Sequence, residues 1–478
     1  MTVRSHGGAG ARTTGTARAA LAAAEPAVFW LDDPARPDPL PPLTGRVTAD
    51  LVVVGGGYSG LWTALRSRER HPDRSVVLLE AGRCGDEASG RNGGFASASL
   101  THGFGNGHSR WPEELAELDR LGRENLAAIG ATVREHGIDC HWEETGELSV
   151  ASAPHQVDEL AAEVEVRRAA GHDVVLLDAE RTRAELDSPT YLGGVLDEHG
   201  TAMVEPARLA WGLRQACLDA GVVIHEDTHV SSLERGGSHL TVRTGGGSVV
   251  AGRVALATNA FAPLLRRLRL MTVPVYDHVL MTEPLDDAQL ASIGWDRRCG
   301  VGDAANQFHY YRLTRDNRVL WGGYDAIYHY GSRIARELEQ SERTHALLAE
   351  QFFAAFPLLE GLRFTHRWGG VIDTCTRFAA FFGTAHRGRA AYALGYTGLG
   401  VAATRFGADV VLDLLDGEET ERTSLEMVRR RPLPFPPEPA RYAGIQLTRW
   451  SLARADRHDG RRNLWLRALD AAGLGFDS

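Results

Sequence analysis

The stretch Ala49-Asp-Leu-Val-Val-Val-Gly-Gly-Gly-Tyr-Ser-Gly60 decides the fold. Its first half, Leu51 to Val54, is a run of β-branched and apolar residues suited to a buried strand. The run stops at Gly55, Gly57 and Gly60, in G-x-G-x-x-G spacing, and Tyr58 and Ser59 lie between the last two. A helical pattern follows through Leu61, Trp62, Ala64 and Leu65, and a second apolar run, Val76 to Leu79, ends in the acid Glu80 followed by Ala81. A glycine triplet alone is weak evidence, but strand, turn, helix, strand and acid in this order predict a dinucleotide-binding βαβ unit. The glycines permit a tight turn and a close backbone approach, so that a pyrophosphate rests on the helix N-terminus. Glu80 is positioned to accept hydrogen bonds from ribose hydroxyls.

Working outward, 478 residues allow two or three domains. The 43% hydrophobic and 24% charged residues are those of an ordinary globular protein. No apolar run approaches the length of a membrane span. The net charge of -10 argues against nucleic acid as a main partner, because phosphate binding needs a basic surface. All 52 basic residues are arginines. Without lysine there is no Schiff base and no P-loop, which removes pyridoxal phosphate enzymes, class I aldolases and P-loop nucleotidases. Five scattered cysteines, Cys84, Cys140, Cys217, Cys299 and Cys375, predict reduced cytoplasmic thiols rather than disulfides or a zinc site.

Residues 1–27, rich in Ala, Gly, Thr and Arg, read as a disordered leader. Phe29 to Pro42 alternates aromatics and prolines and predicts an extended arm against the body. Later stretches predict a long helix from Trp111 to Gly137, a strand near Gly146 to Ala151 and a helix from Glu205 to Ala220. A further strand runs through Val254 to Ala257 into Thr258 and Asn259, and Phe308 to Tyr324 reads as a hairpin turning at Asp316-Asn317. Ala391 to Leu394 is followed by Gly395-Tyr-Thr-Gly-Leu-Gly400 and another helix. The whole is expected to be an α/β protein. A Rossmann-like domain built from 28–105, 195–262 and 362–425 would be interrupted by an antiparallel-sheet substrate domain, 106–194 and 263–361, and followed by a helical tail, 426–478.

The chain resembles the D-amino-acid-oxidase-like flavoproteins, the group that holds glycine oxidase, sarcosine oxidase and γ-glutamylputrescine oxidase. The motifs carrying the resemblance are V-V-G-G-G-Y-S-G-L (Val53 to Leu61), Glu80-Ala81, S-G-R-N-G-G-F (Ser89 to Phe95), A-T-N-A (Ala257 to Ala260), W-G-G (Trp368 to Gly370) and G-Y-T-G-L-G-V (Gly395 to Val401). The resemblance implies FAD in an extended conformation. Gly55, Gly57 and Gly60 would meet the pyrophosphate, Glu80 the ribose and Val230 the adenine. Ser89, Gly94 and Gly370 would also be cofactor-binding, and Arg91, Asn92 and Gly93 would run past the isoalloxazine. Gly398, Leu399, Gly400 and Val401 would reach its pyrimidine edge, where the helix N-terminus suits the negative charge of reduced flavin.

Oxidation at a C–N bond needs an unprotonated amine, which a desolvated aromatic pocket favours. The hairpin supplies candidates in Tyr310, Tyr311, Arg312 and Trp321, with His102 after the flavin loop. Alternation puts Tyr310 and Arg312 on one strand face and His309 and Tyr311 on the other. Arg312 is the residue shaped to clamp a carboxylate; ordinary sheet packing is the alternative. Asp325 reads either as a site for a second amino group or as a solvated turn acid, and Cys375 as a minor candidate for covalent flavin. The resulting expectation is an FAD-dependent oxidoreductase acting on a small amine, with oxygen or another electron acceptor. An amino-acid oxidase or dehydrogenase using an Arg clamp, and a non-catalytic flavin-binding electron carrier, remain as alternatives.

Overall fold

The computed structural model describes residues 14–475. Two large sheets organise the chain. In the first, the strands Ala390–Leu394, Gly247–Leu256, Gly45–Val54, Val76–Leu79 and Val223–His225 lie side by side and parallel. Their register aligns Val54 with Leu79 on one side and Leu256 on the other, so neighbouring carboxyl ends open at one edge. Ligands of such sheets bind outside those ends. The Val230–Arg235 and Leu240–Thr244 strands extend this sheet in antiparallel fashion.

The Tyr58–Arg70 and Gly400–Asp416 helices pack together over this sheet. Their seam carries charge as well as apolar contact. Arg70 reaches Asp409 at 2.7 Å and Asp413 at 2.6 Å, and Arg66 reaches Asp409 at 3.0 Å.

The second sheet has nine strands, antiparallel except where Gly300–Asp303 runs parallel to Glu147–Ala151. Its order passes from Ile327–Tyr328 through Val273–Thr282, Val319–Gly323 and His309–Leu313 to Gly300–Asp303, Glu147–Ala151, Gly193–Asp197 and Val174–Asp178. Phe364–Thr374 pairs along the whole of Val273–Thr282. Two boundaries expected from sequence therefore move. Phe364–Thr374 lies beyond 362 yet belongs to the antiparallel sheet, and Gly193–Asp197 straddles 195 and pairs there too. A strand with few nucleotide-type signals is placed by its partner, which sequence pattern does not disclose.

The expected disordered leader is corrected within residues 14–27; residues 1–13 lie outside the described ones. Gly15–Leu21 forms a helix capped by the Thr14 hydroxyl, which accepts from Ala17 N–H. Ala17 and Ala20 are buried, and Glu25 bridges to His366. Alanine is the best helix former, and burial of its small methyl against the Glu342–Ala355 helix supplies the contact that composition hides. The arm from Phe29 begins with a single 3-10 turn, Phe29–Leu31, and buries Trp30. Residues after Pro432 form two helices, Ala440–Asp456 and Leu464–Ala471. No helix of the described residues is long and apolar enough to cross a membrane.

Candidate active site

One cavity of about 1990 Å³ begins at the carboxyl edge of the parallel sheet and runs to the face of the antiparallel one. Single ligand pockets are about 300–1,000 Å³. This one has room for a dinucleotide and a substrate beyond it.

At the sheet end, Gly55 has φ +110°, and a Cβ there would lie 2.3 Å from the Ala257 carbonyl oxygen. Gly60 faces away from the cavity: its Cβ would sit 1.8 Å from the Gly55 oxygen, so its task is close packing of helix on turn. Gly57, Tyr58 and Ser59 line the cavity, as do Ala81, Val230, Thr258 and Asn259. The Ser89 hydroxyl accepts from Tyr58 N–H at 2.9 Å, and the Tyr58 phenol donates to the Pro206 oxygen at 2.7 Å. Glu80 lines the cavity and takes the Gly56 and Gly82 amides, at 2.5 and 2.8 Å, on its two oxygens. Each oxygen keeps a lone pair for a ribose hydroxyl.

The Ser89–Gly94 loop is held from behind. The indole of Trp368 donates to the Arg91 oxygen at 2.9 Å, and that of Trp30 to the Asn92 oxygen at 3.0 Å. Asn92 closes the turn by accepting from Gly94 N–H at 2.8 Å. The Arg91 side chain is locked to Glu339 at 2.6 Å. Gly94 is a packing position rather than a lining one, since its Cβ would meet the Val204 oxygen at 2.0 Å. Gly93 does line the cavity.

Gly370 is the clearest test of fit to a flavin. It lines the cavity, and the nearest atom a Cβ would meet is Arg91 Cβ at 3.7 Å, so only open cavity space would be lost by adding one. Gly398, at φ +94°, likewise opens on the cavity, with Leu399, Gly400 and Val401 beside it at the start of the Gly400–Asp416 helix. Asp373 pins this turn by accepting from Gly395 N–H, and burial raises its carboxyl to about 7. His102 lies next to Gly398, in the cavity wall, and burial lowers its imidazole to about 4, so the ring is neutral at ordinary pH.

The hairpin divides. Tyr310 lines the cavity with its ring between two glycines: a Cβ on Gly93 would come within 2.6 Å of it and one on Gly322 within 2.7 Å. Its hydroxyl donates to Asp277 at 2.5 Å. Asp277, which sequence reasoning missed, also lines the cavity and sits directly across the strand pair from Gly370. Burial raises its carboxyl to about 6 despite the Tyr310 hydrogen bond. Only its place opposite a W-G-G glycine could have signalled it.

Three expected substrate-site residues lie elsewhere. Tyr311 is packed in the core against Trp321, ring centroids 4.6 Å apart, and its hydroxyl meets that of Tyr191. Trp321 is buried in the same cluster. Arg312 is fully buried behind the flavin loop, donating to the oxygens of Val204 at 2.7 Å and Gly94 at 3.4 Å and lying over the Trp30 ring. Strand alternation correctly pairs it with Tyr310 on one face. Two residues further on, however, that face has already passed beneath the loop. His309, on the other face, bonds Asp303 at 2.6 Å and Gln351 at 3.0 Å. Burial opposes charging of this imidazole, and Asp303 overcomes that to raise it above its ordinary value. Asp325 pairs with Arg449. All five cysteines are free and buried, and the Cys375 thiol points to the Ala379 oxygen at 3.1 Å, away from the cavity.

The class this geometry defines is a dinucleotide-binding flavoenzyme, and comparison with known proteins agrees. The family model described as FAD dependent oxidoreductase matches residues 50–414, and the chain belongs to that family. It is 31% identical over 408 residues to gamma-glutamylputrescine oxidoreductase of Escherichia coli, covering 83% of this chain and 90% of that one. It is 29% identical over 413 residues to a probable oxidoreductase OrdL of Haemophilus influenzae, covering 83% and 89%. Among solved structures, glycine oxidase from Geobacillus kaustophilus is similar in fold, with a TM-score of 0.66 at 22% identity over 78% of this chain and 96% of that one. FAD is the cofactor, and the chain is an FAD-dependent oxidoreductase.

Proposed function

We infer that this enzyme oxidises the C–N bond of an amine to an imine. The observation carrying the reading is the Tyr310–Asp277 pair, hydrogen-bonded at 2.5 Å on the same cavity wall as Gly370. FAD, when bound, supplies the acceptor for the hydride that leaves the carbon next to nitrogen. The protein must present that nitrogen unprotonated and aimed. The Tyr310 hydroxyl is a donor to Asp277, so its lone pairs are left to accept from the ammonium N–H. A proton leaving the amine passes to Tyr310 Oη as the phenolic proton moves to Asp277 Oδ2. Burial lowers the amine's own affinity for its proton, which makes the transfer feasible to a carboxyl titrating near 6. The neutral His102 adds no charge to oppose an incoming cation.

An amine without a carboxylate clamp fits this wall better than an α-amino acid. Arg312, the residue shaped for a clamp, is spent on backbone carbonyls behind the loop. The names of two of the three relatives above, gamma-glutamylputrescine oxidoreductase and glycine oxidase, support a nitrogen-bearing substrate. Five buried cysteines that form no disulfide suit a cytoplasmic enzyme. A chamber extending well past a cofactor-sized pocket speaks against a mere electron carrier.

The test is anaerobic mixing of the FAD-loaded protein with amines and amino acids while following the flavin visible band. Bleaching by amines and not by their α-carboxylated counterparts supports the reading. Bleaching by amino acids alone overturns it in favour of an amino-acid oxidase, and no bleaching by any compound overturns both. The rate of colour return in air separates oxygen from another acceptor.

A further inference from the structure

The family match ends at residue 414, yet the cavity does not. Its outer wall is made by the chain after Pro432. The Ala440–Asp456 and Leu464–Ala471 helices form a hairpin clasped by the Trp465 indole, which donates to Thr448 at 2.9 Å. Ile445, Leu452, Trp465, Leu466 and Leu469 face the cavity from this hairpin.

The hairpin is fixed to the body by several contacts. Asp456 accepts from the backbone amides of Asn306 and Gln307, at 2.9 and 3.1 Å, just before the strand that carries Tyr310. Arg449 pairs with Asp325, just after the partner strand at the same open end of that β-hairpin. Glu438 takes the Tyr328 hydroxyl and the Gly331 amide, at 2.5 and 3.0 Å. Arg110, at the end of the Phe104–Arg110 helix whose Phe104 lines the cavity, donates to the Gly475 oxygen at 2.9 Å. A segment tied both to the antiparallel sheet and to the Phe104–Arg110 helix, each of which lines the cavity, covers it as a roof. The roof's lining arginines are each paired with an acid, Arg441 with Glu438 at 3.1 Å, Arg449 with Asp325 and Arg462 with Asp470 at 2.7 Å. With these charges engaged elsewhere, the side chains the roof leaves for a ligand's body are Ile445, Leu452, Trp465, Leu466 and Leu469.

We propose that the C-terminal helical hairpin is the specificity wall of the substrate chamber, selecting amines that carry a bulky apolar or aromatic body. This rests on the amine reading above. The nitrogen end meets Tyr310 and Asp277, and the body extends toward Trp465 and Leu452. Small amines leave that wall uncovered and gain nothing from it; a phenyl group buried there is worth about tenfold or more in affinity.

The experiment uses the full-length FAD-loaded enzyme, reduced beforehand with dithionite so that binding is measured without oxidation. Calorimetric titration compares ethylamine with 2-phenylethylamine. The expected result is at least tenfold tighter binding of the phenyl compound, with that ratio falling toward one in Trp465→Ala and in Leu452→Ala. Flavin content and melting temperature report whether each variant is folded, and either folded variant suffices. Equal affinity for the two amines in the wild-type protein, or a ratio unchanged in a folded variant, overturns the proposal. Failure of the amine reading shows differently, as an oxidised flavin that no amine bleaches, whatever the binding ratio.

Discussion

The Tyr310 hydroxyl and the Asp277 carboxylate share a hydrogen bond of 2.5 Å, and Asp277 lies directly across its strand pair from Gly370. The proposed proton acceptor and the glycine proposed for the flavin cradle are thus neighbours on one sheet rather than separate parts brought together by loops. Because burial holds Asp277 near 6, it is protonated and unable to receive a proton below that pH. The rate of anaerobic flavin reduction at saturating amine should rise with pH and level off above about pH 6. Asp277→Asn should remove this limb, and Tyr310→Phe should slow reduction by about a hundredfold or more, the usual scale of general-base loss. Stopped-flow absorbance across pH 5 to 9 (about that range brackets the titration) reads all three; an unchanged profile in Asp277→Asn removes the carboxylate from the proton path.

Two glycines predict opposite consequences for the same added methyl. A Cβ on Gly322 would sit 2.7 Å from Tyr310, so Gly322→Ala must push that ring aside. A Cβ on Gly370 would meet nothing nearer than 3.7 Å but would occupy the cavity. Gly322→Ala should therefore keep FAD and lose on the order of tenfold in reduction rate, about 1.4 kcal/mol of misplaced geometry. Gly370→Ala should fold normally and hold FAD more weakly. Flavin retained after gel filtration, set beside stopped-flow rates, distinguishes the pair. Tight FAD in Gly370→Ala would remove this glycine from the cradle.

The βαβ unit was legible because its constraint is local. Gly55 must take φ +110° and Gly60 must admit the Gly55 oxygen, and both demands appear as glycine in a fixed spacing. The hairpin was legible as a hairpin, since alternation and the Asp316-Asn317 turn are also local. Which of its residues touch the cavity was not. Tyr310 and Arg312 share a face, but the Gly94 and Val204 carbonyls that cover Arg312 come from far away in the chain. Asp277 was hidden for the same reason, its partner Gly370 being supplied by a strand some ninety residues later. The tail's place over the cavity rests on scattered single contacts, such as Asp456 to the Asn306 amide, that leave no periodic trace.

Arg312 predicts a stability phenotype in place of a binding one. It is fully buried, and among the described residues no carboxylate forms an ion pair with it; burial lowers its guanidinium to about 10. Its Nη1 donates to carbonyls of two segments it joins, Gly94 and Val204, and its Nε to the Leu313 oxygen, while Nη2 has no hydrogen-bond partner among the described residues. Arg312→Ala removes those bonds and leaves a cavity, which should cost about 3 kcal/mol. Preference between an amine and its α-carboxylated counterpart should not change. Thermal melts with a substrate panel test both halves, and selective loss of amino-acid turnover in a stable variant would restore the clamp.

Asp373 sets a stability slope of known sign. Its carboxyl, raised by burial from an ordinary 3.8 to about 7, holds a proton in the folded chain that the unfolded chain releases. Between these values the native state binds more protons than the unfolded one, so this group's contribution is fully present below pH 3.8 and is lost as pH rises through 7. The loss is up to about 1.4 kcal/mol per pH unit within the window. Asp373→Asn keeps an oxygen to accept from Gly395 N–H while removing the titration. The stability of the wild-type protein relative to this variant should therefore fall between pH 5 and 7 (about the accessible part of the window) and flatten above it. Denaturant melts of both proteins in the same flavin-bound state measure the difference directly. A difference that grows in favour of the wild-type protein with rising pH would mean that the turn's N–H groups stabilise the carboxylate more than burial penalises it.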